Sequence, residues 1–157
     1  RLDRSIRLEL CALAERLSED FLHMTTAHFA LLEGAEDLIR YLAAKYPLTV
    51  VTNGFVEVQY EKFEKSGLKD CFAHIVLSEE VGYQKPNPRI FEEALRMNGL
   101  DASEVVMIGD SFSSDIAGAN TVGIDTIWLA QPDNITDLQS KVATYIVTSL
   151  QEIKQIL

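Results

Sequence analysis

Three short stretches carry residue types that could act together on a phosphate ester. They are Thr52-Asn53-Gly54, Lys85-Pro86, and Gly109-Asp110 followed by Asp115. Asp110 ends the apolar run Val105-Val106-Met107-Ile108 after one glycine. A carboxylate there is costly to bury unless it is paired or holds a metal. Gly109 permits a tight backbone turn, and the chain can then return Asp115 to the same rim. Hard oxygen donors at such a rim suit magnesium. The same spacing also fits two aspartates that cap a helix, with Ser111, Ser113 and Ser114 ordering the loop. Thr52 offers a hydroxyl beside exposed backbone N–H groups, a combination that can hold a phosphate oxygen. An ordinary strand-to-helix turn would use the same residues. Lys85 precedes a proline, which pushes its backbone toward an extended shape. It could aim a cation at developing phosphoryl charge, or simply lie in a surface loop.

The elements that must position these residues alternate in type. Leu48-Thr49-Val50-Val51, Ile75-Val76-Leu77, Val105–Ile108 and Thr126-Ile127-Trp128-Leu129 read as strands, with Tyr145-Ile146-Val147 as a short last one. Between them the pattern predicts helices over 35–45, from the Asn53-Gly54 turn to Ser66, from Pro88 to Asn98, and over 115–120. Gly67 and Gly99 mark two of the helix ends, and Ser149 caps a final helix. This alternation argues for an α/β sheet with helical crossovers. Each chemical stretch then follows a strand, where open sheets collect their ligands.

Composition narrows the partners. Twenty-four acidic residues against 14 basic ones give a formal charge of −10. That opposes a nucleic-acid or anionic membrane surface but leaves room for a small charged substrate whose repulsion a bound cation offsets. No run is apolar enough to span a bilayer, and the first residues lack a signal-peptide core. Cys11 and Cys71 have no metal-ligand spacing and suit a reducing, cytoplasmic setting. Oligomeric state is not legible.

With its motifs laid out, the sequence resembles the haloacid dehalogenase-like hydrolase superfamily, in its phosphatase and nucleotidase branch. Val50-Val51-Thr52-Asn53-Gly54 is similar to the family's second motif, Lys85 to the third, and Gly109-Asp110 with Ser114-Asp115 to the fourth. The longer pattern is similar to pyrimidine-type 5′-nucleotidases. It includes Phe55, Gln59, Ser66-Gly67-Leu68, Ser78-Glu79-Glu80, Lys85-Pro86-Asn87-Pro88 and Gly123-Ile124-Asp125-Thr126 with Trp128. The resemblance implies a Rossmann-like core and a magnesium-dependent hydrolysis of phosphate monoesters, nucleoside monophosphates foremost, through an aspartyl-phosphate. It gives Thr52, Lys85, Asp110 and Asp115 catalytic places. Asn53, Gly54 and Phe55 join Thr52 and Lys85 at the substrate, and Asp110 and Asp115 are placed at the metal, Asp115 either supporting the metal shell or orienting Lys85.

One part of the family pattern is missing. Its first motif, Asp-x-Asp at the end of a first strand, supplies the nucleophile and the acid/base. Asp3 and Asp20 follow no strand, and Asp37 falls within a predicted helix. Residues 1–29 are expected to be the remnant of a largely missing helical cap, and 30–157 a core without its first, central strand. The chain opens on Arg1, so a preceding segment is expected to carry the motif, leaving this fragment inactive alone. Alternatives are a noncatalytic phosphate-binding pseudoenzyme, another phosphatase of the family, a phosphomutase or a dehalogenase. Phe21, His23, Met24, His28 and Phe29 are candidates to reach the leaving group, with packing, capping or surface exposure the more ordinary use of the two histidines.

Overall fold

Among the described residues, five short apolar segments form strands, each parallel to its neighbour. In a computed structural model of the chain, the structure describes residues 29–132 and 135–157, with Leu13 and Met24. Strand β1 (Leu48–Thr52) pairs with β2 (Phe72–Leu77). Strands β3 (Val106–Gly109), β4 (Asp125–Leu129) and β5 (Tyr145–Val147) form a second sheet in that order. Among the described residues, helices α1 (Ala35–Ala43), α2 (Val56–Ser66), α3 (Ser78–Val81), α4 (Pro88–Asn98), α5 (Ala117–Asn120) and α6 (Leu150–Ile156) connect and flank them. The architecture is an α/β Rossmann-like core. The expected cap remnant lies almost wholly outside the described residues. Among those described, no helix is long and apolar enough to cross a membrane.

Side-chain alternation on the strands creates two apolar layers. On one face Leu38 and Leu42 of α1 and Ile153 of α6 pack on Ile127 and Val147, with Val106 and Ile108 beside them. On the other, Ile90 and Phe91 of α4 and Ala119 of α5 meet Val76, Val51 and Met107. The second layer contains residues of both sheets, so α4 holds them together. Its ends follow from local chemistry. The Asn87 side chain accepts from the Arg89 amide at 3.0 Å, Pro88 fills the first turn, and Gly99 leaves the helix at φ 63°.

Among the described residues, no hydrogen-bonded rung joins β1 to β3. A cavity of about 110 Å³ lies between them on the α4 side, lined by Val51, Ala94, Asn98, Val105 and Met107 among others. Asn98 partly closes it, donating to the Thr49 hydroxyl at 2.8 Å.

The observed elements depart locally from the sequence expectations. Strand β2 begins at Phe72, and β3 ends one residue later than expected, on Gly109 itself. The short helix α3 was not anticipated. The helix expected from Asp115 is preceded by a π-helical turn, Phe112–Ile116. There the Ser111 carbonyl accepts from both the Asp115 and Ile116 amides, at 2.9 and 3.4 Å.

Candidate active site

The carboxyl ends of β1, β2 and β3 present the three stretches singled out above. In the ladders Thr52 stands opposite Leu77, and Gly109 opposite Trp128. Thr52 is half-buried at the tip of β1, and Asn53 is exposed beyond it. Lys85 lies on the loop between α3 and α4, next to a cis Lys85–Pro86 peptide. Its ammonium reaches across to β3's loop and meets Asp115 Oδ1 at 2.7 Å. Both side chains are withdrawn from solvent, at 12% and 6% exposure. Desolvating two charges is expensive, so such a pair persists only with further hydrogen bonds around it. Here the Ser111 amide donates to Asp115 Oδ2 at 3.1 Å, and the Ser114 hydroxyl to Oδ1 at 3.3 Å.

Gly109 is required by this packing rather than by an unusual dihedral. A Cβ there would lie 2.4 Å from Asp115 Cβ and 2.6 Å from Oδ2. The glycine lets the aspartate fold back against the strand end.

Asp110 is held differently. Its backbone carbonyl accepts from the buried Trp128 indole N–H at 3.0 Å, and Phe112 packs on the Trp128 ring. Its side chain is exposed, and among the described residues no hydrogen bond or ion pair engages its carboxylate. A cavity of about 560 Å³ opens beside it, lined by Glu33, Trp128, Ala130, Thr148 and Ser149 among others.

The remaining expected residues flank this rim. Gly54 lies against the Gln59 side chain. Phe55 is 56% exposed at the start of α2. Of the possible cap contacts, Met24 is exposed, Phe29 is half-buried, and Phe21, His23 and His28 fall outside the described residues. Asp37, one of the three nucleophile candidates weighed, lies on α1 and pairs with Lys154. Asp3 and Asp20 are not among the described residues.

Two residues make contacts beyond the roles the sequence suggested. Glu79 of α3 accepts from the Val56 amide at 2.8 Å and so caps α2, whose own N-cap residue, Phe55, has no side-chain oxygen to offer. The Asn53 side chain bonds the backbone of Lys85 twice, at 2.7 and 2.9 Å. The Ser-Glu-Glu run after a strand and the Asn-Gly turn mark the positions, but only the tertiary fold supplies these partners.

A family model described as haloacid dehalogenase-like hydrolase matches residues 6–129. The chain belongs to this family. It is 37% identical over 148 residues to the pyrimidine 5′-nucleotidase YjjG of Escherichia coli, covering 90% of this chain and 63% of that protein. It is 35% identical over 149 residues to a glyceraldehyde 3-phosphate phosphatase of Methanothermobacter thermautotrophicus, covering 87% and 65%. Among solved structures, magnesium-bound YfnB of Bacillus subtilis superposes with a TM-score of 0.75 at 37% identity, covering 81% of this chain and 56% of that one. The chain thus spans less than two-thirds of the length of these relatives.

Proposed function

We propose that this chain forms most of the active site of a magnesium-dependent phosphate monoester hydrolase that acts on nucleoside 5′-monophosphates. The observation that carries the reading is the buried Lys85–Asp115 pair at the strand ends, aimed between the loops of β1 and β3. It supplies a fixed cation where phosphoryl charge develops, already desolvated and needing no rearrangement during reaction. Thr52 and the Asn53 amide bind the phosphoryl oxygens beside it.

The nucleophile is an aspartate on a strand lying between β1 and β3. Support for that strand comes from the absence of a rung joining β1 and β3 among the described residues, and from the cavity between them. Unpaired facing edges inside a sheet leave backbone donors and acceptors unsatisfied. This aspartate attacks phosphorus as the bond to the leaving oxygen breaks. A companion aspartate protonates that oxygen, then takes a proton from the water that hydrolyses the aspartyl-phosphate.

Magnesium fits the donor chemistry of the rim. Asp110 offers a carboxylate that no described residue engages, and magnesium is commonly held by one or two carboxylates with substrate phosphate and water. Among the described residues no three acidic, histidine or cysteine side chains gather around one point, so the other donors come from the nucleophile's loop and the substrate. Asp115 holds Lys85 and stands behind the metal, because its oxygens are already engaged. When bound, the cation neutralises charge on the transferred phosphoryl group.

The nucleotide preference is supported by the similarity to a pyrimidine 5′-nucleotidase and by the exposed Phe55 ring, which offers a face for a base. A triose phosphate is the competing substrate, favoured by the similarity to glyceraldehyde 3-phosphate phosphatase. The test is phosphate release by the full-length gene product with magnesium, over nucleoside monophosphates and triose phosphates. Higher kcat/KM on pyrimidine monophosphates supports the reading. Preference for triose phosphates overturns the substrate, and no release from any monoester overturns the enzyme in favour of a phosphate-binding pseudoenzyme.

A further inference from the structure

The Asn53 side chain meets Lys85 at both of its backbone polar groups. Asn53 Oδ1 accepts from the Lys85 amide at 2.7 Å, and Asn53 Nδ2 donates to the Lys85 carbonyl at 2.9 Å. An asparagine amide has one acceptor end and one donor end, so it satisfies a peptide N–H and C=O together, as a neighbouring strand would. The Lys85 side chain then runs the other way, to Asp115 on β3's loop. The sequence Asn53–Lys85–Asp115 is therefore a polar bridge from β1 to β3, the two strands that share no rung among the described residues.

We infer that Asn53 is a positioning residue that fixes the Lys85 backbone so that its ammonium is delivered to the phosphoryl site. This rests on the proposed phosphatase reading for its catalytic consequence, but the clamp itself does not. A lysine stem has four rotatable bonds, and its rotamer freedom is costly to suppress. Anchoring the backbone from one side and the ammonium from the other removes both ends of that freedom. Pro86 has no N–H to donate, and the Asn87 amide after it closes a turn onto the Gln84 carbonyl at 2.8 Å, leaving the Lys85 N–H and C=O to Asn53. Asn53, Gln84 and Pro86 are all exposed, with the Pro86 backbone passing close to Gly118 of α5.

The geometry separates the two polar groups of the amide. In Asn53→Asp the carboxylate still accepts from the Lys85 N–H but cannot donate to its carbonyl. In Asn53→Leu, of similar shape, both bonds are lost.

Hydrogen exchange of the full-length gene product tests this without reference to activity. The Lys85 amide is expected to be protected in the wild type and in Asn53→Asp, and to exchange about five- to tenfold faster in Asn53→Leu, with β3 amides unchanged. Phosphate release then tests the consequence. Misplacing a catalytic group by about an ångström can cost roughly 100-fold, so Asn53→Leu is expected to lower kcat by about that factor with little change in KM. Unchanged Lys85 exchange in Asn53→Leu would overturn the clamp. Faster exchange with kcat retained would overturn its positioning role, as would a loss confined to KM. A wild type that is inactive on every monoester overturns the phosphatase reading, and the exchange result alone then decides the clamp.

Discussion

Asp110 and Asp115 lie five residues apart on one loop, yet they occupy opposite environments. Asp115 is 4% exposed and surrounded by Lys85, the Ser111 amide and the Ser114 hydroxyl. Asp110 is exposed, with its backbone fixed by Trp128 and its carboxylate unengaged among the described residues. The loop thus divides two jobs that spacing alone cannot separate. One carboxylate is part of the protein's internal structure and holds a cation in place. The other faces solvent and is engaged by no described residue.

If that division is right, the two carboxylates respond differently to substitution. The largest effect is expected for Asp115→Ala, which leaves the Lys85 ammonium buried without its partner. Breaking such a pair costs about 3–5 kcal/mol, to be read as a lower urea midpoint at unchanged slope. A loss under about 1 kcal/mol would place the pair among solvent-screened surface bridges instead. Gly109→Ala is next. Its Cβ would press on the Asp115 side chain at 2.4 Å, and the forced shift should cost about 1–3 kcal/mol while moving Asp115 off Lys85. A normal urea midpoint in Gly109→Ala would mean that the loop yields easily and that the close approach is incidental.

Glu152 shows what hydrogen bonds do for a carboxylate that stays in water. The Ser149 hydroxyl, then the Thr148 hydroxyl and amide, hold its carboxyl below the ordinary value of 4.5. A folded value below the unfolded one stabilises above the unfolded pKa, and that contribution is lost as pH falls through the folded value. Glu152→Gln should therefore lose a small contribution at neutral pH, flatten the acid limb slightly below pH 4.5, and converge with wild type in acid. An unchanged acid limb would show that these bonds do not favour the ionised form.

Much of the scaffold was legible in the sequence because local signals and tertiary structure agreed. Pro88 and Gly99 bound α4 at its observed ends, and the β-branched runs became β1, β3 and β4. The boundaries that moved were set by tertiary partners. The π turn at 112–116 arises where Asp115 folds back on Ser111, and nothing in the Ser-Phe-Ser-Ser-Asp run marks that return. The site was legible as a set of residue types, and the structure brings Lys85 to Asp115. The family resemblance left Asp115 either in the metal shell or orienting Lys85, and burial beside Lys85 is what sets it apart from Asp110. The Asn53 clamp was hidden, since its partner lies 32 residues away. Gly109 was singled out for a sharp turn, whereas its observed service is to leave room for Asp115.

The most direct test of this division is magnesium binding by the full-length gene product, wild type against Asp110→Asn, measured by calorimetry alongside thermal unfolding. The account predicts at least about tenfold weaker magnesium binding in the variant, with stability within about 0.5 kcal/mol of wild type. Equal magnesium affinity in the two proteins would contradict it, because the exposed carboxylate would then not be the one held ready for the metal.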